Sequence, residues 1–81
     1  MPATGPSRTQ EISDVLRDEI LRGQYRAGER LPSERDVASR FGTSRGTVRE
    51  AFKKLEQLGV ATIQPGGARA VPIEEIGRAH V

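Results

Sequence analysis

Three cations, Arg45, Arg49 and Lys53, recur every fourth residue. On a helix that spacing places them in one row along a single flank. Their chemistry is anion recognition: a guanidinium fork grips phosphate or the edge of guanine through two parallel bonds, and an ammonium acts as a point charge. Gly46 and Thr47 share the first turn with Arg45, where a recognition helix reaches base edges in a major groove. Other chemistries lack their parts. With no cysteine there is no disulfide framework and no thiolate zinc site. The single histidine, His80, reads as a solvated tail residue. No glycine-rich loop opens a helix and no carboxylate pair converges, so neither an enzyme nor a metal or cofactor site is expected.

A basic row by itself is equally well a solvated face, so the elements around it decide. Pro32 and Ser33, followed by Asp36, predict the capped start of a short helix with Val37, Ala38 and Phe41 inward and Gly42 as its end. The break Gly42-Thr43-Ser44 has the length of the turn in a helix-turn-helix unit, and the Ser44 hydroxyl can cap the next helix. In that helix Val48, Ala51, Phe52, Leu55 and Leu58 fall on one apolar side, opposite the cations. Upstream, Ile12, Val15, Leu16, Ile20 and Leu21 recur at helical spacing from about Gln10 to Arg22, capped by Thr9 or Ser7 and closed by Gly23. The connection to Leu31 holds Tyr25, expected to lay its ring on the core with its hydroxyl toward solvent. Arg30-Leu31 is a candidate strand of one or two residues. After Gly59 the period changes to two. Val60 to Gln64 and Ala68 to Val71 predict a hairpin turning at Pro65-Gly66-Gly67. A hairpin beside a helix-turn-helix is a wing, and its glycines let the backbone approach a phosphate or minor-groove edge.

The expected fold is mainly α with a small β-hairpin: a winged helix-turn-helix of three helices plus wing. Its 81 residues suffice for one modest core and not for a roomy catalytic cavity. Net charge is only +2. From Arg35 to Lys54, however, six basic residues face Asp36 and Glu50, whereas the first helix carries Glu11, Asp14, Asp18 and Glu19 against Arg17. Positive charge is thus gathered on one segment, as a polyanion partner requires. Residues 1–8 are expected to be disordered, 9–71 to form the domain, and 72–81 to be a linker or tail. No stretch is apolar enough to span a membrane, which makes the cytoplasm, at the nucleoid, the expected location.

The run from Gly23 to Leu55, with LPSER followed by FGTSRGTVREAF, then LGV and the Gly-Gly turn, resembles the N-terminal DNA-binding domain of GntR-family bacterial transcription regulators. The resemblance covers roughly residues 10–71. It implies a winged helix-turn-helix that binds a palindromic double-stranded DNA operator as a homodimer, usually to repress transcription. It places DNA contacts on Arg35, on Ser44, Arg45, Gly46, Thr47 and Arg49, and on the wing tip Pro65, Gly66 and Gly67. Arg35 and Arg45 would reach bases, Thr47 and Arg49 phosphates, with Lys53 a further backbone contact. Glu34 and Glu50 would pair with nearby arginines.

The chain departs from the pattern in three places. Ala27 stands where many relatives carry proline, Gly46 leaves one recognition-helix position without a side chain, and the wing tip has no polar side chain. Relatives continue into an effector-binding and dimerising domain, toward which the tail would lead; the isolated domain is then expected to be monomeric. The alternative reading is a winged-helix module that binds a protein partner and no DNA.

Overall fold

The structure, a computed structural model, describes residues 8–26, 28–65 and 67–71. Three helices and a hairpin follow in chain order: α1 (Arg8–Leu21), α2 (Glu34–Phe41), α3 (Arg45–Gln57), β1 (Ala61–Gln64) and β2 (Gly67–Ala70). This is the mainly α, winged helix-turn-helix architecture expected.

The caps explain why the short α2 stands. Ser33 adopts an extended backbone and its hydroxyl accepts from Asp36 N at 3.1 Å. At the other end Gly42 enters the left-handed region at φ 63° and its N–H closes onto the carbonyls of Ala38 and Ser39, a conformation that a side chain would oppose. Ser44 then repeats the Ser33 arrangement for α3, accepting from Thr47 N at 3.2 Å. Only Thr43 lies between the two caps.

The core forms where the apolar stripes meet. Ile12, Leu16 and Ile20 of α1, one helical face at i, i+4, i+8, are buried beside Val48, Ala51, Phe52 and Leu55 of α3. Val37 and Ala38 close it from α2, Leu31 from the connection, and Val60, Ala61, Ala68 and Ala70 from the hairpin. Helix α3 contacts every other element. Ser13 is also buried, its hydroxyl satisfied by the Gln10 carbonyl at 3.0 Å.

Several expectations shift in detail. Helix α1 begins at Arg8, before the Gln10 that periodicity gave, because the Arg8 guanidinium bonds Glu11 and the Phe41 carbonyl at the end of α2. Thr9 is consequently a helical residue and not the cap; Ser7 lies outside the described residues. Leu21 and Leu58, assigned to apolar faces, are 47% and 53% exposed because each sits at its helix end, past the neighbouring element. The Tyr25 ring packs on the core as expected, but its hydroxyl donates to Glu19 Oε1 at 3.1 Å.

The strands run antiparallel with Ala61 opposite Ala70 and Gln64 opposite Gly67. The chain before α2 lies along the other side of β2: Arg30 bridges Arg69, Leu31 N donates to Ala68 O, and Ala70 N donates to Glu29 O. The short strand anticipated at Arg30-Leu31 is therefore present as an edge to the wing. No helix among the described residues is long and apolar enough to cross a membrane.

Candidate nucleic-acid interface

Helix α3 divides cleanly into an interior side and an outer one. With Val48, Ala51, Phe52 and Leu55 sealed inside, the 100° step per residue leaves Arg45, Arg49 and Lys53 outside, their side chains 64%, 57% and 55% exposed. The row proposed from spacing alone is thus present as a solvent-facing cationic stripe.

At the head of the stripe, Ser44 Oγ accepts the Thr47 N–H and lies 2.9 Å from Thr47 Oγ1. The two hydroxyls fix each other and the first turn. Arg45 leads the helix from that turn. Gly46 is exposed, and a Cβ built on it would meet only Ser44 Oγ at 3.9 Å, so bare backbone is presented there.

A carboxylate from α2 organises the arginines. Glu34 Oε1 is 3.1 Å from Arg49 Nη2 and 4.0 Å from Arg45 Nη2, and Glu34 itself is only 12% exposed. The Arg49 guanidinium holds the Glu34 carboxyl below its ordinary pKa, chiefly through its hydrogen bonds, and burial opposes this only in part. Reciprocally, Glu34 raises Arg49. Glu34 is also the first residue of α2, where an acidic side chain suits the helix dipole. The ion-pairing role expected of Glu34 is present; Glu50 instead meets Lys53, at 3.3 Å.

Arg35 follows Glu34 in α2, is exposed, and makes no hydrogen bond or ion pair among the described residues. Its donors are therefore available. Pro65 is exposed at the hairpin end, and its carbonyl accepts from Arg30 Nη2 at 2.7 Å. Gly66 lies outside the described residues. Gly67 does not belong to an open tip: it is buried in β2, where a Cβ would come within 3.9 Å of Ser33 Cα. The turn end of β2 is packed against the Ser33 cap of α2, which buries the Gly67 backbone although it pairs with Gln64 next to the turn. The sequence did not reveal this because the contact joins segments more than thirty residues apart.

Away from this surface the charges are used internally. Glu19 of α1 receives Arg40 of α2, with Nη1 at 3.2 Å, and the Tyr25 hydroxyl, so one carboxylate ties three segments. Arg40 also lies over the Phe41 ring, 5.0 Å from its centroid. No group of three or more metal-ligating side chains occurs among the described residues.

Comparison with known proteins agrees with this geometry. Residues 8–71 match the family model of bacterial regulatory proteins of the gntR family. The HTH-type transcriptional regulator Mce2R of Mycobacterium tuberculosis is 37% identical over 70 residues, which is 86% of this chain and 29% of that protein. The mannosyl-D-glycerate transport/metabolism system repressor MngR of Escherichia coli is 41% identical over 59 residues, 72% of this chain and 25% of that protein. The chain thus spans less than a third of the length of these relatives. Among solved structures, S. agalactiae BusR in complex with its busAB-promotor DNA superimposes with a TM-score of 0.76 at 30% identity, covering 90% of this chain and 36% of that one.

Proposed function

The chain belongs to the gntR family of bacterial regulatory proteins, and from that membership we propose that it reads a palindromic double-stranded DNA operator for a transcription regulator acting as a repressor. The observation that carries this reading is the exposed pair Arg45 and Arg49, standing on the outer side of α3 and gathered at one end by Glu34. The named relatives are regulators and not enzymes, MngR is a repressor by name, and BusR is solved on promoter DNA.

In the proposed complex α3 enters the major groove. Arg45 and Arg35 take base edges, Arg49, Thr47 and Lys53 hold phosphates, and the Ser44 and Gly46 backbone comes close to the strand. The hairpin lies beside the minor groove with Pro65 and Gly66 leading. Phosphate contacts supply most of the affinity and make it salt-dependent, and the base contacts supply sequence choice. Residues 9–71 act as the binding domain, and 72–81 lead toward an effector-binding, dimerising part of the full protein, which works at the nucleoid in the cytoplasm. One domain alone binds one half-site weakly, and homodimerisation adds the second.

A titration of amide shifts with a palindromic duplex and with a scrambled one, at two salt concentrations, tests the proposal. Shifts concentrated on residues 44–53, larger for the operator and weakened by salt, are expected. Unmoved amides with both duplexes would replace it with the protein-binding module.

A further inference from the structure

The outer face of the wing carries two arginines that the recognition surface does not use. Arg30 and Arg69 stand directly opposite each other across the bridge between the pre-α2 segment and β2, and Thr62 stands opposite Arg69 on β1. Directly opposed residues share a face of the sheet. All three are exposed, while Ala61, Ala68 and Ala70 fill the buried face.

Like charges placed opposite each other in a ladder cost stability unless an acid relieves them. No acid among the described residues does so. Arg30 Nη2 donates to the Pro65 carbonyl at 2.7 Å, and Arg69 Nη1 donates to the Gly28 carbonyl at 2.9 Å. Neither guanidinium pairs with a carboxylate among the described residues. Elsewhere the fold does supply partners: Arg8, Arg17, Arg22, Arg40, Arg49 and Lys53 each have one. The two carbonyl bonds also set direction. Arg30 reaches along the strand toward the hairpin end and Arg69 the opposite way, so the two cations form a track along the wing. Each guanidinium has five N–H donors, and one bond to a carbonyl leaves it able to take an anion as well.

We propose that Arg30 and Arg69 form a second phosphate-binding site, on the exposed face of the wing, which grips the DNA backbone flanking the segment read by α3. The proposal rests on the DNA-binding reading above. Its contribution is sequence-independent: it adds affinity and salt dependence, and the anion relieves the repulsion between the two arginines.

The test measures affinity of the full chain for the palindromic and the scrambled duplex between 50 and 200 mM salt (concentrations over which phosphate contacts are resolved), together with the DNA-free melting temperature. Arg30→Gln and Arg69→Gln are each expected to lower the magnitude of the log–log salt slope by about 0.9 on both duplexes. Their melting temperatures should stay level or rise, and Arg69→Lys should keep the slope. A lower melting temperature with an unchanged slope would make these arginines braces for the wing and overturn the site. So would unchanged slopes at unchanged stability while the wild type binds. Failure of the wild type to bind either duplex at the lowest salt would instead remove the DNA reading itself, and this inference with it.

Discussion

Arg49 donates from Nε and Nη2 to the two carboxylate oxygens of Glu34, at 3.2 and 3.1 Å, and so fastens α3 to the first residue of α2. The same carboxylate stands 4.0 Å from Arg45. An acid placed between two proposed DNA contacts competes with phosphate for one of them while holding both near one place. Glu34→Gln is expected to tighten binding to scrambled duplex and reduce the ratio of operator to scrambled affinity. Paired titrations measure this. Weaker binding to both would show that the carboxylate matters chiefly for aiming Arg49.

Arg45→Ala and Lys53→Ala should separate reading from holding. Loss of a bidentate base contact removes about 1–3 kcal/mol of discrimination, so Arg45→Ala should weaken operator binding far more than scrambled binding. Lys53→Ala, which removes a proposed phosphate contact, should weaken both alike and lower the salt slope by about 0.9. Equal losses on both duplexes for Arg45→Ala would take it out of the base-reading role.

Gly46 offers a test of backbone approach. It lies in α3, where a Cβ would make only an ordinary contact with Ser44 Oγ at 3.9 Å. Gly46→Ala should therefore stabilise the helix by roughly 0.5–1 kcal/mol, raising the melting temperature by a few degrees. If the helix backbone comes close to DNA here, operator affinity falls at the same time. A more stable variant with unchanged affinity would place the DNA further from this turn.

Acid should loosen the contacts between helices. Hydrogen bonds from Arg40 are the main reason the Glu19 carboxyl sits below its ordinary range; partial burial opposes them and the Tyr25 hydroxyl adds to them. Glu34 is lowered in the same way by Arg49. A carboxyl lowered on folding contributes stability that is whole above its unfolded pKa, near 4.3, and lost as pH falls through the lower folded value. The melting temperature should be insensitive to these groups from pH 5 to 8 and fall below about pH 4.5. Glu19→Gln should flatten that acid limb in a thermal melt series, and an unaltered limb would deny the Glu19–Arg40 pair its role.

Much of this was legible in the chain, for local reasons. Caps at Ser33 and Ser44, the stop at Gly42 and the split of α3 depend on residues within a turn of one another, and each is found where spacing put it. What escaped depends on distance. Leu21 and Leu58 continue their apolar stripes, but no element extends far enough to cover them. Ser13 breaks its stripe, and is buried because its hydroxyl finds a carbonyl three residues back. Gly67 adjoins the turn and yet is buried, since the Ser33 backbone lies beside it. The opposition of Arg30 and Arg69 follows from a register between segments nearly forty residues apart, which no local pattern encodes.

Because α3 touches all four other elements, buries Val48, Ala51, Phe52 and Leu55, and shows Arg45, Gly46, Arg49 and Lys53 to solvent, its two sides answer to separate demands. Exchanges on the outer positions leave the oily seam intact, so, on the proposed reading of α3, descendants of such a gene can drift toward new target sites one codon at a time while the scaffold persists. The same separation makes this helix a natural place to diversify a library and select for altered preference.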